Sequence, residues 1–119
     1  MAKILIADDS QAELQLFQAA LQPTGHSITT VMDGEAAEAR AKAEKFDLII
    51  LDVIMPKKNG FQVCRDIKTN DATKNIPVIM VTSKDQESDK FWGMKQGADE
   101  YLIKPFKAED LLKAVKKYI

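Results

Sequence analysis

The chain has 119 residues, of which 45% are hydrophobic and 29% are charged, so it is long and apolar enough to form one folded domain. Its 17 basic and 18 acidic residues nearly cancel, leaving a formal net charge of -1, which gives no support to nucleic-acid binding. The single cysteine excludes an intrachain disulfide, and no apolar run is long enough for membrane insertion or a signal peptide, so we expect a cytoplasmic protein.

Short apolar runs recur along the chain and predict five β-strands. Each run is rich in β-branched residues and bounded by turn formers, as in strands that are buried on both faces of a parallel sheet. The second run, from Ser27 to Val31, is the most polar and is expected at an edge of the sheet. The predicted strands lie near residues 3–7, 27–31, 47–51, 77–81 and 99–103.

Helical patterns fill the intervals between these strands. The first opens with Ser10 and Glu13, the spacing of a capping box, and the third opens with Asn59 and Gln62. The regular alternation of strand and helix predicts one α/β domain over residues 1–119, with helices on both faces of a five-stranded parallel sheet and no output domain. The predicted helices cover residues 10–21, 34–45, 59–69, 85–96 and 107–118.

Polar and charged residues follow four of the five predicted strands. Asp8 and Asp9 follow the first strand, and Asp52 follows the third. Thr82 follows the fourth strand, and Lys104 follows the fifth. Open α/β sheets bind ligands at the carboxyl ends of their strands, so we expect these five side chains to share one site.

Three carboxylates in one site require protons or a cation. Two carboxylates about 4 Å apart repel by about 4 kcal/mol at an effective dielectric near 20. No histidine or cysteine accompanies them, which favours an all-oxygen site for a hard cation, with Mg²⁺ as the prediction and Mn²⁺ as an alternative. Asp52 is the candidate nucleophile for a phosphoryl group, whose oxygens Lys104 and Thr82 would bind.

Four segments in this order carry a family resemblance: Ile4–Ser10, Asp47–Gly60, Pro77–Ser83 and Gly97–Phe106. They resemble the receiver domains of response regulators in two-component signalling, in particular single-domain regulators of the chemotaxis type. Residues 82–90 are most similar to stand-alone receivers of twitching-motility and phototaxis pathways. The resemblance implies a flavodoxin-like (βα)5 fold with strand order 2-1-3-4-5, which is inherited from the family.

The resemblance implies roles for the residues of the metal and phosphoryl site. Asp52 matches the phosphoacceptor. Asp8 and Asp9 match the acidic pair, with Asp9 as the direct Mg²⁺ ligand and Asp8 acting through water. Ile54 matches the position whose backbone carbonyl completes the metal site. Because the side chain of Ile54 is apolar, we also expect slow hydrolysis of the phosphorylated aspartate.

The resemblance also implies a switch and a phosphoryl-binding lysine. Thr82 matches the switch hydroxyl, and Tyr101 matches the aromatic residue that turns inward when Thr82 moves towards the phosphoryl group. Lys104 matches the lysine that binds the phosphoryl oxygens. The bond between Lys104 and Pro105 is expected to be cis, which X–Pro bonds tolerate.

The implied function is a signalling switch and not an enzyme, since it would catalyse only its own phosphorylation and dephosphorylation. A histidine kinase or phosphotransfer protein would supply the phosphoryl group. A downstream protein would bind the face formed by the fourth helix, the fifth strand and the fifth helix.

Two other functions are compatible with such a fold, and both are disfavoured. A flavodoxin-like FMN carrier needs a phosphate loop rich in glycine and hydroxyl groups after the first strand, where this chain has Asp8 and Asp9. An aspartyl-nucleophile phosphatase usually has two acids separated by one residue, whereas these two are adjacent.

Overall fold

The computed structural model describes residues 1–119 and contains one five-stranded sheet. All strand pairs are parallel, and the spatial order is β2-β1-β3-β4-β5, which confirms the predicted topology. Only β2 and β5 lie at edges, and β2 is the polar strand that was expected there. The strands are β1 (Lys3–Ala7), β2 (Ser27–Val31), β3 (Leu48–Leu51), β4 (Val78–Thr82) and β5 (Glu100–Ile103).

Five α-helices alternate with the strands along the chain. They are α1 (Gln11–Leu21), α2 (Gly34–Ala43), α3 (Gly60–Thr69), α4 (Glu87–Lys95) and α5 (Ala108–Lys116). Side-chain caps begin three of them: Ser10, Asp33 and Asn59 accept hydrogen bonds from backbone N–H groups of the first turns of α1, α2 and α3. None of the helices is both long enough and apolar enough to span a bilayer.

The sheet separates two apolar clusters. Alternate residues of β1 point to opposite faces, so Ile4 and Ile6 pack with α1 and α5, whereas Leu5 and Ala7 pack with α2 and α3. The neighbouring strands β3 and β4 repeat this division. Because both faces of the central strands are buried, polar side chains are confined to the strand ends, which positions a site there.

The connection between α1 and β2 contains a short helical turn. Residues Gln22–Thr24 form a 3₁₀ helix, which ends at Gly25 with a φ of 74°. His26, which follows this turn, accepts a hydrogen bond at Nδ1 from the N–H of Ala2 at 3.1 Å. This hydrogen bond ties the start of β2 to the N-terminus of the chain.

Candidate functional site

The three aspartates of the predicted site meet at the carboxyl edge of the sheet. Ala7 of β1 and Leu51 of β3 are register partners, so the residues that follow them, Asp8 and Asp52, lie side by side. Asp9 joins them, and carboxylate oxygens of all three residues lie within 4.8 Å of one another. Asp8 is fully buried, Asp52 is 7% exposed, and Asp9 is open to solvent.

A single ammonium group bridges the two buried acids. Lys104 Nζ donates to Asp8 Oδ2 at 2.6 Å and to Asp52 Oδ2 at 3.0 Å. The side chain of Lys104 is only 10% exposed, and its peptide bond to Pro105 is cis. One ammonium group cannot neutralise three ionised carboxylates, so the site favours a further cation.

The two buried partners influence each other's protonation. Burial raises the pKa of Asp8 above its ordinary value of 3.8, although hydrogen bonds from Lys104 and from the N–H of Ser10 oppose that shift. Burial lowers the pKa of Lys104, but its hydrogen bonds to Asp8 and Asp52 outweigh burial and leave this pKa above its ordinary value. The ammonium group therefore stays charged, as binding of an anion requires.

Backbone groups orient both buried carboxylates. The N–H of Ser10 donates to Asp8 Oδ1 at 3.0 Å, and the N–H of Ile54 donates to Asp52 Oδ1 at 3.2 Å. The side chain of Ile54 is 54% exposed and adds no polar group to the site.

The loop between β3 and α3 folds back onto the end of β3. The N–H of Gly60 donates to the carbonyl of Val53 at 2.8 Å. A Cβ atom at Gly60 would lie 2.1 Å from the carbonyl oxygen of Asp52, so no larger residue fits there. The loop is therefore closed tightly around Asp52.

The two predicted switch residues both contact Lys84, in the loop after β4. The hydroxyl of Thr82 is fully buried and accepts from the N–H of Lys84 at 3.4 Å. Tyr101 points inward, is 8% exposed, and donates from its hydroxyl to the carbonyl of Lys84 at 2.8 Å. Burial, followed by the charge of Asp89, raises the pKa of Tyr101 to about 12, so its hydroxyl remains a hydrogen-bond donor.

The donor set at this edge is made of oxygen atoms alone. Carboxylates of Asp8, Asp9 and Asp52 provide several oxygens, and no sulfur or imidazole group belongs to the cluster. Such a set fits a hard divalent cation such as Mg²⁺ better than a soft metal.

The family model for the response regulator receiver domain matches residues 4–116. The chain belongs to the response regulator receiver domain family. The match covers both the strand ends that carry the acids and the loop that contains Lys104. This receiver domain is thus a signalling protein of two-component systems, and its acidic cluster lies where the family's topology leads us to expect a site.

Curated relatives of this receiver domain differ in length. It is 46% identical over 115 residues to Protein PilH of Pseudomonas aeruginosa, covering 97% of this chain and 95% of PilH. It is 40% identical to the alkaline phosphatase synthesis transcriptional regulatory protein PhoP of Bacillus subtilis, covering 96% of this chain but 47% of PhoP.

Solved structures resemble the receiver domain along its whole length. The chemotaxis response regulator CheY4 of Vibrio cholerae superposes with a TM-score of 0.92 at 36% identity, covering 100% of this chain and 99% of that one. The receiver domain of sensor histidine kinase PA1611 of Pseudomonas aeruginosa superposes with a TM-score of 0.91 at 26% identity, covering 98% and 96%. That structure contains a magnesium ion coordinated in the active-site cleft.

Two features near the site were missed by sequence reasoning. The carbonyl of Lys84 is the acceptor for Tyr101, and Lys58 forms ion pairs with helices on either side of its loop. These contacts join loops to other elements of the fold, so no local sequence pattern signals them. The single cysteine, Cys64, is fully buried in the core, and this burial raises the pKa of its thiol to about 12.

Proposed function

We propose that this receiver domain accepts a phosphoryl group on Asp52 from a histidine kinase or phosphotransfer protein. The observation that carries the proposal is the arrangement of Asp52 and Asp8 around the buried ammonium group of Lys104. In the reaction, an oxygen of Asp52 attacks phosphorus, and the bond to the donor nitrogen breaks. The donor imidazole departs with the electron pair of that bond, and the phosphoryl oxygens bind to Lys104.

We propose that Mg²⁺ is held by the carboxylates of Asp8, Asp9 and Asp52, together with the backbone carbonyl of Ile54. The support is the all-oxygen cluster, and the magnesium ion in the cleft of the PA1611 receiver domain agrees with it. When bound, the ion would neutralise charge on the phosphoryl oxygens. Asp9, the exposed member of the acidic pair, would bind the ion directly, whereas buried Asp8 would act through water and also keep Lys104 in place.

Signal output is proposed to begin with Thr82. To donate to a phosphoryl oxygen, its hydroxyl must leave the N–H of Lys84, which it contacts at 3.4 Å. Tyr101 holds the carbonyl of the same residue, so the motion of the loop after β4 and the position of Tyr101 are coupled. Phosphorylation would then change the positions of this loop and of α4, which a partner protein could recognise.

The proposed docking face for a downstream protein comprises α4, β5 and α5. On α4, Phe91, Trp92 and Met94 are 65%, 49% and 43% exposed, which is a large apolar area for one short helix. We propose that residues 1–119 act as one receiver domain in the cytoplasm, in a chemotaxis or twitching-motility pathway. It would bind neither nucleic acid nor membranes and would act on no substrate other than its own phosphoryl group.

Incubation with acetyl phosphate, followed by intact-mass measurement, tests the phosphoacceptor. We expect one phosphoryl group per wild-type chain in the presence of Mg²⁺ and none after chelation. Asp52→Asn should remain unmodified, whereas Asp71→Asn, at an exposed position outside the acidic cluster, should react like the wild type. A phosphoryl group on Asp52→Asn, or none on the wild type, would contradict the proposal.

A further inference from the structure

Lys58 connects the loop after β3 to the helices on either side of it. Its ammonium group lies 2.6 Å from Asp66 Oδ2 of α3 and is in direct contact with Glu38 Oε1 of α2. The other oxygen of Glu38 binds Lys42 at 2.8 Å. The side chains of Lys58 and Glu38 are 22% and 17% exposed, so solvent screens this network less than an ordinary surface pair.

The backbone around Lys58 is held in an unusual conformation. The N–H of Lys58 donates to the carbonyl of Pro56 at 2.8 Å, across Lys57 with a φ of 69°, which forms a γ-turn. A positive φ is unfavourable for lysine, so the loop needs support from outside.

The first turn of α2 supplies part of that support. The N–H of Gly34 donates to the carbonyl of Pro56 at 3.4 Å. A Cβ atom at Gly34 would lie 1.9 Å from the carbonyl oxygen of Lys58, so helix and loop backbone are in close contact.

We propose that Lys58 is a positioning residue for the metal site. Its ion pairs to Glu38 and Asp66 would fix the loop that begins at Asp52, and thereby the Asp52 carboxylate and the backbone of Ile54. The loop is short and is closed by the hydrogen bond from Gly60 to Val53, so a displacement at Lys58 is transmitted to its first residues. This inference rests on the proposed function of Asp52 and Ile54 in Mg²⁺ binding.

The direction in which Mg²⁺ affinity changes when Lys58 is removed distinguishes a positioning role from a purely electrostatic one. Lys58 is a cation in the loop that would bind a second cation, so its removal would leave Mg²⁺ affinity unchanged or increase it if only charge mattered. If Lys58 orders the loop, its removal weakens Mg²⁺ binding, because binding must then order the loop as well.

Isothermal titration of the full chain with MgCl₂ tests the inference. For Lys58→Met we expect a Kd about five-fold higher than for the wild type, below the roughly 10–100-fold cost of losing a direct partner of a metal ligand. Lys58→Arg, which retains the charge, should restore most of the affinity. Lys42→Met is the matched control, since it removes a cation from the same glutamate without touching the loop, and its Kd should stay near that of the wild type.

A second variant guards against failure of Lys58→Met to fold. Lys58→Gln removes the same charge but keeps a polar side chain, and it should weaken Mg²⁺ binding to a similar extent, whereas charge alone would again leave the affinity unchanged or increased. Unchanged or tighter Mg²⁺ binding by folded Lys58→Met or Lys58→Gln would overturn the inference, as would an equal loss in Lys42→Met. Failure of the wild type to bind Mg²⁺ would instead contradict the proposed function itself.

Discussion

At the scale of single residues, the central feature is the sharing of Lys104 between two buried acids. Its ammonium group lies 2.6 Å from Asp8 and 3.0 Å from Asp52. Loss of one partner from a buried ion pair leaves a charge without compensation, which costs more than the pair contributes when intact. Lys104 therefore stabilises the two acids in the unphosphorylated site, and we propose that it binds the phosphoryl oxygens after phosphorylation.

Substitution of this lysine should destabilise the metal-free protein. In Lys104→Met, two buried carboxylates lose their shared ammonium group, so we expect the free energy of unfolding to fall by about 3 kcal/mol at pH 7. Urea denaturation with a chelator present measures this loss, which saturating Mg²⁺ should reduce. The exposed Lys113→Met serves as the control, and equal stability of the two variants would refute the explanation.

The lifetime of the phosphorylated state is a second prediction at this scale. The side chain of Ile54 is 54% exposed next to Asp52 and has no polar group that could orient an attacking water. Phosphorylated wild type should therefore persist well beyond seconds after removal of acetyl phosphate, as followed by intact mass over time. Ile54→Asn should shorten the lifetime and Ile119→Asn should not, whereas loss of the wild-type phosphoryl group within seconds would refute the prediction.

At the scale of secondary-structure elements, the strands could be predicted more closely than the helix ends. Apolar runs define β2 as residues 27–31, as observed, since buried parallel strands leave a clear pattern. The fourth helix was predicted to begin at residue 85, but Gln86 is the N-cap and α4 begins at Glu87. Helix ends depend on single caps and on tertiary contacts that periodicity does not record.

The ion pairs between α2, α3 and the loop after β3 should make the stability of the fold depend on pH. Hydrogen bonds from Lys42 and then from Lys58 lower the pKa of Glu38 from 4.5 to about 2. A carboxylate whose pKa is lower in the folded than in the unfolded state contributes its full stabilisation at pH values above the unfolded-state pKa. That contribution is lost as the pH falls towards and below the folded-state pKa. The contribution of Glu38 should therefore disappear between about pH 4.5 and pH 2.

Removal of this carboxylate should matter at neutral pH and not in acid. Because Glu38 is close to the surface, we expect Glu38→Gln to lower the free energy of unfolding by about 1 kcal/mol at pH 7. The difference from the wild type should shrink as the pH falls, as measured by urea denaturation at several pH values. Glu35→Gln changes an exposed glutamate of the same helix and is the matched control. If the difference in free energy of unfolding between wild type and Glu38→Gln grew as the pH fell, the prediction would be contradicted.

At the scale of the whole molecule, strand order brings together residues that are distant in sequence. Asp8, Asp52 and Lys104 could be predicted as one site, because each follows a strand and carboxyl ends of parallel strands share an edge. The contacts of Lys84 and Lys58 could not, because they depend on how loops fold in three dimensions. The inward position of Tyr101 is a further tertiary feature, since the family resemblance implies only that this residue can turn inward.

The cluster of Asp8, Asp9 and Asp52 should make the thermal stability of the protein depend on divalent cations. A ligand that binds only the folded state stabilises it by about 2.7 kcal/mol at 100 times its Kd, so Mg²⁺ should raise the thermal unfolding midpoint of the wild type. Asp9→Ala should remove this shift without harming the fold, because Asp9 is exposed. Asp71→Ala should retain the shift, and an equal response of all three proteins would contradict a specific site.

Localisation of the phosphoryl group tests the account most directly. Trypsin cleaves after Lys45 and Lys57, which places Asp52 on a peptide of residues 46–57. Asp8 and Asp9 lie on an earlier peptide that ends at Arg40, and Thr82 lies on a later one. After phosphorylation with acetyl phosphate and Mg²⁺, borohydride reduction converts the acyl phosphate into a stable homoserine before digestion. Fragment-ion mass spectrometry should then find the modification only on residues 46–57, at position 52 and not at Asp47. A phosphoryl group on the peptide of Asp8 and Asp9, or on that of Thr82, would contradict the assignment of Asp52 as the phosphoacceptor.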